Sequence, residues 1–109
     1  MPCTINFKKI LVTVLLPGQP VPISETFLPV TDFEVYIKSG NTGANMYLGN
    51  KDVDSNWAPR AKGGFWNWTH GSGSFLGPNA ELGFDLSKIY LDADSAGDEA
   101  IVTYICSTK

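Results

Sequence analysis

His70 is the only imidazole in the 109 residues, so a Ser/His/Asp or Cys/His arrangement would depend wholly on it. It stands in a loop between Trp68-Thr69 and Gly71-Ser72-Gly73, a setting where a lone histidine is usually a surface or packing residue. Asp92-Ala93-Asp94-Ser95-Ala96-Gly97 imitates the start of a calcium loop. The fit then fails, because the fifth position is Ala96 and the twelfth is Thr103 where a bidentate Glu belongs. A turn rich in Asp and Gly explains these residues without a metal. Asn67-Trp68-Thr69 matches a glycosylation sequon, which has force only in a secreted chain. Cys3 and Cys106 stand at opposite ends of the sequence with no metal-ligand spacing. They read as packing residues that a reducing compartment keeps apart. Neither catalysis nor a cofactor is expected.

The most distinctive composition is aromatic. GGFWNWTHGSGSF, residues 63–75, sets Phe65, Trp66, Trp68 and Phe75 among small residues, with Trp57 just upstream. Three readings stay open: rings folded back onto their own core, a subunit interface, or a platform on which sugars stack. Trp and Phe are enriched where apolar area is buried on assembly. Trp57, Phe65, Trp66, Trp68 and Phe75 are therefore the candidate protein-interface residues.

Those residues need a scaffold, and the periodicity describes one. In residues 7–16, Ile10, Val12, Val14 and Leu16 share one face, with Leu11, Thr13 and Leu15 on the other. A strand apolar on both faces belongs inside a sandwich or against a neighbouring subunit. Pro17, Gly18, Pro20 and Pro22 break it, and residues 23–28 return as an edge strand, where proline is tolerated. From Asp32 to Lys38, Phe33, Val35 and Ile37 face in while Glu34, Tyr36 and Lys38 face out.

Asn41-Thr42-Gly43 reads as a hairpin turn with a glycine at positive φ, leading to a short strand with Met46 and Leu48. Residues 50–64 read as a polar loop. Leu82, Phe84 and Leu86, then Ile89 and Leu91, restore the period of two. After the DADSAGDE turn, a last strand puts Ile101, Thr103 and Ile105 on one face. Seven or eight short strands and no helix predict an all-β fold. The expected form is an antiparallel β-sandwich, jelly-roll or Ig-like, as one domain over residues 1–109.

Composition agrees with that fold. Charged residues make up 17% of the chain, below the usual quarter, and eleven glycines and seven prolines disfavour helices. A net charge of −3 argues against nucleic acid as a partner. The acids cluster late: Glu81, Asp85, Asp92, Asp94, Asp98 and Glu99 stand against Lys88 and Lys109. No apolar run has the length of a membrane span. The run Ile10 to Leu16 is at the lower limit for a secretory h-region, and no small-residue cleavage site follows. Synthesis in a cytoplasm and a soluble product are the expectation, with no membrane as partner.

The order of elements carries a further signal. FEVYIKSGNTGANMYLGNKDV is followed by FDLSKIYLDADSAGD and then EAIVTYI, and the chain opens with LLPGQPVPIS after its first apolar strand. This order resembles a family of small virion proteins encoded by tailed bacteriophages. The Leu86-Ser87-Lys88-Ile89-Tyr90 segment following the Asn41-Thr42-Gly43 turn carries most of the likeness. Residues 54–80 depart from it, being longer and more aromatic than the family's connection. The resemblance implies a non-enzymatic decoration or cement protein on the outer capsid surface of the virion. It would be a homotrimer that bridges neighbouring capsomers, with the major capsid protein and copies of itself as partners. The aromatic loop supports an alternative, a carbohydrate-binding module on a tail fibre or host-surface adaptor.

Overall fold

Short apolar alternations separated by Gly, Pro, Asn and Asp leave strands as the elements that can bury one face each. The computed structural model describes residues 7–57, 59–69 and 84–106. Among them run β1 (Phe7–Val14), β2 (Val21–Pro22), β3 (Pro29–Ile37), β4 (Asn45–Gly49) and β5 (Pro59–Ala61). β6 (Phe65–Thr69), β7 (Phe84–Asp85), β8 (Tyr90–Ala93) and β9 (Asp98–Cys106) follow. All pairings are antiparallel. One sheet has the order β1-β9-β3-β6, with β7 also on β3; the other has the order β2-β8-β4-β5.

The expected antiparallel sandwich is therefore present, with nine strands among the described residues. The extra strands have local causes. The polar stretch at 50–64 contributes β5, which pairs with β4. The period-two run around Phe84 is split by a 3-10 turn at Leu86–Lys88. Asp85 caps that turn, accepting from Ser87 N at 3.0 Å, Ser87 Oγ at 2.7 Å and Leu28 N at 3.2 Å. Burial alone would raise the Asp85 carboxyl, but the Ser87 and Leu28 hydrogen bonds outweigh it and hold it below its usual value.

The core lies between the sheets. Val12, Val14, Val30, Phe33, Val35, Ile37, Ala100 and Val102 of the first sheet meet Met46, Leu48, Leu91 and Ala93 of the second. The in-and-out reading of β3 holds, since Phe33, Val35 and Ile37 are buried while Tyr36 is exposed. The reading of residues 7–16 as covered on both faces does not hold within this chain. β1 is an edge strand that stops at Val14, where its pairing with β9 runs out at Asp98. Leu11, Leu15 and Leu16 are 56%, 70% and 50% exposed. Among the described residues no helix is long and apolar enough to cross a membrane.

The Asn41-Thr42-Gly43 segment is not a hairpin turn, because it carries the chain from β3 in one sheet to β4 in the other. Gly43 is not at positive φ; among the described residues Gly18, Gly63 and Gly97 are. What position 43 requires is space. A Cβ there would lie 2.7 Å from Asp98 Oδ2 and 2.8 Å from Asp94 Cβ. Asp98 is buried and accepts from Thr42 N and Gly43 N, each at 2.9 Å, one on each carboxylate oxygen. Asn41 completes the latch, donating through Nδ2 to Glu99 O at 3.0 Å and accepting at Oδ1 from Glu99 N at 2.9 Å. The turn is thus fastened to the start of β9.

The neighbouring aspartates are occupied in the same way. Asp92 accepts from Gly18 N at 2.9 Å and Ala93 N at 2.8 Å. Asp94 accepts from Asn45 N at 3.0 Å and Tyr47 Oη at 2.6 Å. The Tyr47–Asp94 bond, followed by burial, holds the phenol above its usual 10.0. The calcium-like spacing in the sequence is therefore a set of backbone anchors.

Candidate binding surfaces

Alternation along β6 sends Phe65 and Trp66 to opposite faces. Trp66 points into the core and is 5% exposed, so the expectation that it sits at a surface is corrected: it is a core residue. Phe65 points outward and is 52% exposed. Register then defines its company. Phe65 stands opposite Tyr36, Tyr36 opposite Ile101, and Ile101 opposite Leu11. Four apolar side chains from β6, β3, β9 and β1 thus form one row across the outer face, spanning about 14 Å at the usual strand spacing.

Polar rows border it on both sides. One is Lys9, Thr103, Glu34 and Asn67, in register across the same strands. The other contains Thr13 and Glu99, with Lys38 Nζ 2.8 Å from Glu99 Oε1 and Thr13 Oγ1 3.3 Å from Oε2. The Lys38 hydrogen bond keeps the Glu99 carboxyl below its usual value, so this border carries paired charge. An apolar band with a polar rim is the anatomy of a protein interface.

The three tryptophans meet elsewhere, in a recess of about 510 Å³ between the edges of the two sheets. Trp66 and Leu48 lie at its core side, while Trp57 and Trp68 line it with 39% and 36% of their surfaces exposed. Trp68 stacks on Phe33 with centroids 5.3 Å apart and planes 17° from parallel, and Phe84 meets Phe33 edge-on at 5.2 Å. Arg60, Lys88 and Asn50 supply the polar part of the lining.

Of the five sequence candidates, the structure groups Trp57, Trp66 and Trp68 in one recess and puts Phe65 on the opposite side of the sheet. Phe75 lies outside the described residues, as do His70 and Cys3. Sequence reasoning missed Leu11, Tyr36 and Ile101 as partners of Phe65. Each was visible as one face of its own strand; only register aligns them. Arg60 and Lys88 gave no signal beyond being isolated cations in apolar or polar surroundings. Comparison with protein-family models, curated proteins and solved structures returned no match.

Proposed function

We propose that this chain is a non-enzymatic structural protein of a tailed-bacteriophage virion. It decorates the outer capsid surface and bridges neighbouring capsomers, with the Leu11–Ile101–Tyr36–Phe65 row as its contact with the major capsid protein. The row is the observation that carries the reading: contiguous, in register and rimmed by polar residues. Single exposed apolar residues are ordinary, but an aligned set between two polar rows favours a partner. The order of elements from Phe33 to Ile105 supports the choice of partner. β1 also ends its sheet as an edge, which assembly as a homotrimer on the shell would cover. Many copies on one lattice gain avidity even where each contact is weak.

The experiment is co-sedimentation of purified chain with virus particles stripped of it. The wild type should pellet. Leu11→Glu/Phe65→Glu should keep its melting temperature within a few degrees yet lose pelleting by at least about tenfold, because both charges would be desolvated at the centre of the contact. If the double variant pellets as well as the wild type, the row is not the assembly face. If the wild type itself stays in the supernatant, the capsid reading fails.

A further inference from the structure

The recess beside β6 has features that the capsid reading does not use. Its polar lining is cationic in a chain of net charge −3: Arg60 and Lys88 contribute, and no Asp or Glu does among the described residues. Neither cation forms a salt bridge among the described residues, where the ion pairs are Lys38–Glu99 and Lys51–Asp52. Arg60 Nε donates to Phe65 O at 3.2 Å, which fixes its stem. Lys88 acts on Asp85 only at longer range.

The aromatic walls are held in place. Trp68 is braced by Phe33, and Phe33 by Phe84. Trp57 lies directly on Gly49, where an added Cβ would come 2.5 Å from its Cε3 atom and 2.8 Å from Cζ3. Glycine at 49 thus makes the seat that lets this indole reach the recess. A volume of about 510 Å³ falls within the ~300–1,000 Å³ usual for small-molecule sites.

We propose that this recess binds an acidic saccharide, whose ring lies on the indoles of Trp57 and Trp68 and whose carboxylate is met by Arg60 and Lys88. A pyranose has one face of C–H bonds and a rim of hydroxyls. The C–H bonds carry partial positive charge and meet the negative face of an indole. The rim needs donors and acceptors such as Asn50, and a carboxylate needs unpaired cations. A guanidinium and an ammonium, neither in a salt bridge with a carboxylate among the described residues, give the preference for an acidic over a neutral sugar. The chain's overall negative charge disfavours a polynucleotide as the anion. The site is separate from the outer row, so the same chain can sit on a shell by one face and hold a glycan by another.

The test uses the isolated chain and does not depend on the capsid assignment. Tetragalacturonate, 3′-sialyllactose and a glucuronate-containing disaccharide are titrated at low salt, with tetragalactose and lactose as neutral counterparts. Tryptophan emission and calorimetry are the readouts. At least one acidic saccharide should saturate, with its neutral counterpart weaker by about tenfold or more. Arg60→Ala/Lys88→Ala changes only exposed side chains and should lose about tenfold while melting normally. Trp57→Ala should weaken binding of acidic and neutral sugars alike. The proposal is overturned if no acidic saccharide saturates by about 10 mM, or if neutral sugars bind equally well. Undiminished binding by the Arg60/Lys88 variant, or preference for a thymidylate oligomer over every sugar, would overturn it too.

Discussion

Trp66→Ala should lower the unfolding free energy by about 3–5 kcal/mol, the usual cost of deleting a large buried aromatic. The indole is 5% exposed, belongs to the central cluster and stands opposite Val35 in the ladder between β6 and β3. A domain of this kind is stable by roughly 5–15 kcal/mol. The substitution therefore removes about a fifth of the total or more, and urea denaturation should show a large drop in midpoint. Phe65→Ala, one residue earlier, should stay within about 0.5 kcal/mol, because its ring is half exposed on the outer face. Two adjacent aromatics would then give opposite results, one in stability and one in binding. Loss of less than about 1 kcal/mol for Trp66→Ala would mean that the indole is not in the core.

Asp98→Ala should cost about 3 kcal/mol, for a different reason. Both carboxylate oxygens are occupied by backbone N–H groups, at 2.9 Å each, in a site where the side chain is 3% exposed. Hydrogen bonds to charged groups contribute about 1.5–3 kcal/mol each, and their removal leaves donors without acceptors. Asp98→Asn keeps one acceptor and should fall between wild type and alanine. Gly43→Ala should cost about 1–3 kcal/mol by overpacking, since the new methyl would press on the same carboxylate. A double variant of Gly43→Ala and Asp98→Ala should cost less than the sum, because each removes the other's clash partner or latch. Thermal melting reads all four: the Asp98→Ala midpoint should fall by about 10 °C or more. A midpoint within a degree or two of wild type would show that the latch does not hold the sheets together.

The scaffold was legible where one strand settles its own faces. Phe33, Val35 and Ile37 announce the buried side of β3, and the Asp- and Gly-rich run at 92–99 announces a turn. What was not legible depends on contacts far apart in sequence. Alternation could not say that Trp66 rather than Phe65 faces the core, because both are large and apolar. Nor could it align Leu11 with Phe65, which are joined only through Ile101 and Tyr36. The Asn-Thr-Gly signal was real but was assigned the wrong cause. A turn glycine is usually needed for positive φ, whereas Gly43 is needed because Asp98, some 55 residues later, fills the space beside it. The recess had a partial signal in the clustered tryptophans, but Arg60 and Lys88 join it only through the packing of two sheets.

The most direct test of the central proposal is the copy number of this chain in purified particles of the phage proposed to encode it, measured by quantitative mass spectrometry. A lattice-wide decoration protein predicts hundreds of copies per particle, in fixed ratio to the major capsid protein. Complete absence from purified particles would contradict the virion assignment, and a handful of copies would contradict a role across the capsid surface.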